Sequence, residues 1–259
     1  NGVPLAFANA VSRGEIGIVA AAGTGLQEVS SIISNEGAGI SQAIGTGGRD
    51  VKKEVGGIMF LEGLRALTDD DATKVIVLVS KPPHEEVLKK LGRAVAGQKK
   101  PVVAFFLGAD PKTVAPYGMT AAATLEEAAL LAVALVKGKT AESVRHRLDS
   151  RDMEIEELAA QESLKVKKGQ RFIRGLFSGG TFCNEAQLIF RGRISEVYAN
   201  APMAPFKPLA DAWKSRGHTV VDLGEDVFTV GRPHPMIDYS LRNRRIQDEA
   251  KDPEVAVIL

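Results

Sequence analysis

The chain has 259 residues, 44% of them hydrophobic and 25% charged, the balance of a folded protein with a sizeable buried core. Lys and Arg number 33 against 32 Asp and Glu, so no positive excess directs the chain to nucleic acid or to an acidic membrane surface. The single cysteine, Cys183, excludes an internal disulfide framework and a multi-thiolate zinc site, and no metal is expected.

Residues 17–21 are apolar throughout, as in a strand buried on both faces. Gly23-Thr24-Gly25 breaks the run, and residues 26–33 have the spacing of a helix packed on one side. Further strands are expected at 75–79 and 101–107, and helices at 85–95 and 125–136. The aliphatic run 128–136 inside that last helix falls far short of the ~20 residues that a membrane span needs. Residues 139–170 crowd charges of both signs without an aromatic residue and read as a partly helical linker. The rhythm then resumes with a strand at 172–177, the turn Ser178-Gly179-Gly180-Thr181, a helix at 182–190 and a last strand at 255–259. Strands apolar on both faces that alternate with helices predict α/β domains with parallel sheets. The expected organisation is a first domain at 1–138, a charged linker at 139–170 and a second domain at 171–259. The chain opens at Asn1 in mid-phrase and stops within an apolar run, so a longer polypeptide is expected.

The two halves resemble each other. A strand, Gly23-Thr24, three residues and Glu28 match a strand, Gly180-Thr181, three residues and Glu185. Downstream, Gly45-Thr46-Gly47-Gly48-Arg49-Asp50 leads through a helix to the strand at 75–79, and Gly231-Arg232-Pro233-His234-Pro235 leads through a helix to the strand at 255–259. The second copy then carries an insertion, best placed in 191–220.

A strand that runs through Gly-Thr into a helix leaves the first helical N–H groups without internal partners and aims the positive end of the dipole outward. Gly23, Thr24 and Gly25, with Gly180 and Thr181, are therefore candidate phosphate or carboxylate binders. In the alternative reading Thr24 caps the helix and Glu28 balances the dipole. Gly47 and Gly48 offer further N–H groups, and Arg49 supplies a two-pronged guanidinium, unless that loop is only a tight turn with Arg49 on Asp50 or solvent. Arg232 and His234 are their counterparts. Pro233 and Pro235 fix the backbone around His234, which is a candidate catalytic group with Arg49, or else an inert imidazole in a rigid turn. His84 follows Pro82-Pro83 at an expected carboxyl edge and is a weaker candidate, while His146 and His218, the latter placed in a surface turn, are set aside. Neither Gly-Thr turn is a Walker loop or a Gly-x-Gly-x-x-Gly turn.

Taken together, residues 14–19 with Gly23-Thr24, Gly45-Thr46-Gly47-Gly48 and residues 71–79 resemble the second domain of the succinyl-CoA synthetase alpha subunit. The phrases at 4–9 (Pro4 to Asn9), 23–28, 47–50, 79–83 and above all 229–238, Thr229-Val230-Gly231-Arg232-Pro233-His234-Pro235-Met236-Ile237-Asp238, are similar to the FdrA family of acyl-CoA-synthetase-like proteins. The resemblance implies two flavodoxin-like, three-layer domains, the second similar to the carboxyl-terminal domain of the synthetase beta subunit. It also implies a phosphate site at the helices after Thr24 and Thr181, and a CoA-binding-type domain ahead of Asn1. The synthetases carry a phosphorylated histidine after the strand equivalent to 102–107, but residues 108–120 here hold none. The family is linked to carbamoyl transfer in anaerobic allantoin breakdown, so a small anionic substrate, an acyl or carbamoyl phosphate, is expected. No covalent cofactor is expected, and CoA or a nucleotide would need the amino-terminal part. Partner subunits or a homo-oligomer and a cytoplasmic location complete the expectation, with a CoA ligase and a non-catalytic assembly subunit as the alternatives.

Overall fold

The computed structural model describes residues 9–259, so positions 4–8 of the phrase that ends at Asn9 lie outside the described residues. The chain forms two compact units, one ending at Met153 and the other running Glu154–Leu259.

In the first unit, β1 (Arg13–Ala20), β2 (Ile40–Gly45), β3 (Val75–Ser80), β4 (Val102–Phe106) and β5 (Thr120–Ala121) form one sheet in the order β2-β1-β3-β4-β5. Every pairing is parallel. The crossovers are α1 (Gly23–Asn35), α2 (Ile58–Asp69), α3 (Glu85–Ala96) and α4 (Leu125–Val136). Helices α1 and α4 pack together on one face and α2 with α3 on the other, giving the three layers of a flavodoxin-like domain. Both faces are covered, which is why all six residues of β3 are buried. Ile76 and Leu78 meet Phe60, Leu64 and Leu67 of α2 and Val87 and Leu91 of α3. Each such side chain contributes about 1.5–3 kcal/mol by leaving water.

The charged segment folds as one 23-residue helix, α5 (Ala141–Ser163), in which only Val144 is buried. A helix that is polar all round has no apolar stripe to announce it. Two ion pairs tie its first half to the first unit: Arg147 reaches both carboxylate oxygens of Glu36 at 2.6 Å, and Arg151 pairs with Glu126.

The second unit holds β6 (Phe172–Phe177), α6 (Gly180–Phe190), β7 (Val197–Ala199), β8 (Lys207–Pro208), β9 (His218–Asp222), α7 (Asp226–Thr229), α8 (Ser240–Glu249) and β10 (Val255–Ile258). Its sheet is also parallel, in the order β10-β6-β9-β7-β8. Here the repeat seen in the sequence takes physical form: β9-β6-β10 is the same arrangement as β2-β1-β3, with the first strand central. Helix α6 lies over β6 and β9 as α1 lies over β1 and β2, and α8 lies over β6 and β10 as α2 lies over β1 and β3. Residues 191–220, the expected insertion, supply β7 and β8, which widen the sheet beyond β9.

The interiors of the two copies differ. Arg174, at the third position of β6, is 2% exposed and bonds Glu249 at 2.8 Å and Asp252 at 3.0 Å. Arg245 bonds the other oxygen of Glu249 at 2.8 Å and the Ser215 hydroxyl at 2.8 Å. His218 is not in a surface turn. It opens β9, half-buried, with Nδ1 accepting from the Ile173 N–H at 3.2 Å and its ring edge-on to Phe172.

Candidate functional site

In parallel sheets, ligands collect beyond the carboxyl ends of strands whose following helices leave on opposite faces. In the first unit that condition holds where β1, feeding α1, lies beside β2 and β3, which feed α2 and α3. In the second it holds where β6, feeding α6, lies beside β9, which leads to α8.

Helix α1 begins at Gly23 with Ala22 as its cap residue in extended conformation, and no side chain caps it. Thr24 is thus the second residue inside the helix rather than its cap. The first backbone N–H that turns inward is that of Leu26, donating to the Ala22 carbonyl at 2.9 Å. The N–H groups of Gly23, Thr24 and Gly25 make no hydrogen bond among the described residues. The loop after β2 folds against this end: the Thr46 N–H donates to Ala20 at 2.8 Å, and a Cβ on Gly48 would stand 3.4 Å from the Ala21 carbonyl oxygen. Gly47 has a φ of +80°, a left-handed turn that favours glycine. Gly23, Thr24, Gly25, Gly47 and Gly48 therefore meet at one carboxyl edge.

Arg49 is exposed at the rim of that loop and makes no bond among the described residues, so it is not held by Asp50. Asp50 is buried and turned the other way. Its two oxygens accept from the N–H groups of Met59 at 3.1 Å and Phe60 at 2.7 Å, anchoring the loop to the start of α2. Sequence reasoning passed over this role, although Asp ahead of a helix is its usual signal. His84 caps α3, its Nδ1 accepting from the Glu86 N–H at 3.3 Å. Glu28 does not sit at the dipole: it lies beyond the first turn of α1, and burial, then the charge of Glu126, raises its pKa. After β4, Gly108 turns left-handed into two short 3-10 turns, the first capped by Asp110.

Helix α6 also starts without a side-chain cap, at Gly179, and Thr181 is its second residue. Its surroundings differ from those of α1. Asp222 ends β9, is 4% exposed, and sets Oδ2 within 2.9 Å of where a Cβ on Gly180 would be. Its Oδ1 accepts from the Gly224 N–H at 2.8 Å, and Asn200 clasps its backbone from both sides, at 2.8 and 2.9 Å. His234 Nε2 and Asp222 Oδ1 converge on the space beside Gly224, 2.9 and 3.1 Å from the position of an added Cβ. Only glycine leaves room for both. His234 Nδ1 accepts from the Met236 N–H at 3.2 Å, so in the neutral ring the proton is on Nε2, facing Asp222. Arg242 donates to the Ser178 hydroxyl at 3.1 Å at the same edge. Arg232 is exposed, its guanidinium 5.2 Å over the Trp213 ring. Gly180 and His234 are thus gathered around Asp222, a residue no local motif singles out.

Comparison with known proteins follows the same division. A CoA-binding domain model matches residues 11–108 and a CoA-ligase model matches residues 176–259. The first match falls on residues whose phrases resemble the second domain of the succinyl-CoA synthetase alpha subunit. YahF of Escherichia coli K12, an uncharacterized protein, is 43% identical over 259 residues, all of this chain and 49% of YahF. The succinate–CoA ligase [ADP-forming] subunit alpha of Staphylococcus aureus Mu50 is 32% identical over 99 residues, 37% of this chain and 30% of that subunit. The chain thus spans about half the length of YahF and less of the ligase subunit. The crystal structure of PH0766 from Pyrococcus horikoshii OT3 aligns with a TM-score of 0.38 and 16% identity, over 71% of this chain and 36% of that one. No helix among the described residues is long and apolar enough to cross a membrane. A CoA-binding match on one unit, a CoA-ligase match on the other and a succinate–CoA ligase subunit among the similar proteins together support a likeness to the succinyl-CoA synthetase-like superfamily.

Proposed function

We propose that this protein handles an acyl phosphate, with carbamoyl transfer as the reaction. The observation that carries the reading is the start of α1: three N–H groups without a bond among the described residues, no side-chain cap, a glycine-led loop folded against them and Arg49 on the rim. One helix end contributes only about 0.3–1 kcal/mol toward an anion, so the guanidinium and the loop N–H groups supply the rest. The residues at 108–120 include no histidine, which argues against a phosphohistidine relay and for direct transfer from the acyl phosphate. In that transfer the acceptor nitrogen attacks the carbamoyl carbon and loses a proton as the C–N bond forms. The C–O bond to phosphorus breaks, and phosphate departs into the α1 cradle, where fixed donors stabilise the charge that develops. Arg49 is the proposed phosphate clamp, and the departing phosphate takes up the proton.

A CoA ligase is the second reading, favoured by the CoA-binding and CoA-ligase matches. The relative called a subunit alpha supports assembly with a partner subunit under either reading. The test is a mass-spectrometric assay of the complete polypeptide with carbamoyl phosphate and oxamate, run beside ATP, CoA and succinate. A carbamoylated product with released phosphate is expected. CoA thioester formation with ATP would establish the ligase instead, and turnover of neither set in a stable complex would establish the assembly role.

A further inference from the structure

A cavity of about 690 Å³ opens at the amino edge of the first sheet, the edge opposite the start of α1. Its walls are the second half of α3, the loop that leads into β4 and the second 3-10 turn, Ala115–Tyr117, which leads toward β5. The volume lies within the roughly 300–1,000 Å³ of small-molecule sites. Four cations line it, Lys89, Arg93, Lys99 and Lys100, and none of the lining residues is acidic. The walls are fixed. A Cβ on Gly92 of α3 would stand 2.1 Å from the Tyr117 ring, so only glycine lets that ring lie against the helix. In the loop, the Lys100 N–H donates to Gln98 Oε1 at 2.7 Å, and Gln98 Nε2 donates to the Lys100 carbonyl at 2.6 Å.

Two of the four charges are spent within the fold. Lys100 Nζ donates to the carbonyls of Leu67 and Asp70 at the end of α2, at 2.8 and 2.7 Å, and Lys89 pairs with Glu85 at 2.5 Å. Arg93 and Lys99 are exposed and make no bond among the described residues. Neither serves to close the end of α3, where the Gln98 N–H donates to the Val95 carbonyl at 3.2 Å. With no carboxylate in the lining, a guanidinium and an ammonium are left to be met from outside. Tyr117 adds a ring, and Pro101 and Pro116 extend its apolar surface. A free phosphate would answer the two cations and leave the ring bare, whereas a phosphate carried on a planar ring answers both.

We propose that this cavity binds an organic phosphate with a planar ring, the phosphate held by Arg93 and Lys99 and the ring lying on Tyr117. The site belongs wholly to the first unit and stands independently of the acyl-phosphate reading, which concerns the opposite edge of the same sheet.

Phenyl phosphate, inorganic phosphate and phenol, titrated separately into the 259-residue chain and followed by backbone amide NMR, test this. Phenyl phosphate is expected to shift Gly92, Arg93, Lys99 and Gly118, and to bind there about tenfold or more tighter than either fragment alone. Replacing both cations, Arg93→Gln with Lys99→Gln, changes only exposed side chains and is expected to weaken phenyl phosphate about tenfold while leaving phenol unchanged. Tyr117→Leu is expected to bring phenyl phosphate down to the affinity of inorganic phosphate. No shift at those four residues, equal affinity for phenyl phosphate and inorganic phosphate in the unaltered chain, or unaltered binding in the double variant would overturn the proposal.

Discussion

The β2-β1-β3 and β9-β6-β10 triplets show what a shared topology leaves undecided. Both run a central strand through a glycine turn into a helix with no side-chain cap. In the first copy the helix start meets the backbone of a glycine-led loop; in the second it meets a buried carboxylate. The strands diverge in the same way. From Ile16 to Ala20, β1 is wholly buried and holds only apolar side chains and Gly17, whereas β6 carries Arg174 into a network with Glu249, Arg245, Asp252 and Ser215. The same backbone pattern therefore sets an uncapped helix start against a glycine-led loop in one copy and against a buried carboxylate in the other.

The sharpest way to break this contrast is to remove the buried charge. Arg174→Met leaves Glu249 with Arg245 and Ser215 as its remaining partners and removes the guanidinium from Asp252, and should cost about 1.5–3 kcal/mol, as for hydrogen bonds to charged groups. Trp213 is the only tryptophan and belongs to the second unit, so its fluorescence in a urea titration reports that unit directly. In the first unit, Asp50→Ala leaves the Met59 and Phe60 N–H groups unpaired and should cost about 1–3 kcal/mol. The amide exchange of those two residues would rise accordingly. Arg49→Lys keeps the charge but loses the planar two-pronged contact, so inorganic phosphate titrated into the 259-residue chain and followed by backbone amide NMR should bind the α1 start several-fold more weakly, with no change in stability.

The smallest effect is a pH dependence. Burial, and then the charge of Arg174, lowers the His218 pKa in the fold, so the folded state favours the neutral ring. The stability this contributes is complete above the ordinary imidazole range and is lost as pH falls through it toward the lowered folded value. Tryptophan-monitored unfolding between pH 7.5 and 5 should show that slope, and His218→Phe should flatten it.

Much of the fold was legible because apolar runs on both faces of a strand have few alternatives: residues 172–177 and 125–136 are β6 and α4 as read. The short strands β7 and β8 give no period to detect, and α5 gives no stripe, since its ties are charges whose partners, Glu36 and Glu126, come from distant helices. Within the site, the glycines of both helix starts were visible. The alternative in which Thr24 caps α1 fails because the chain runs through Ala21 to Ala22 as the cap residue, which makes Thr24 the second residue of the helix. Asp222 was invisible for a different reason: sheet pairing of β6 with β9 alone brings it to Gly180, and no local spacing encodes that meeting.

The central claim is the asymmetry between the helix starts, and a crystal of the chain soaked in inorganic phosphate tests it most directly. The account predicts phosphate density on the N–H groups of Gly23, Thr24 and Gly25, with none at Gly180 and Thr181. Phosphate at both helix starts, or at α6 alone, would contradict it.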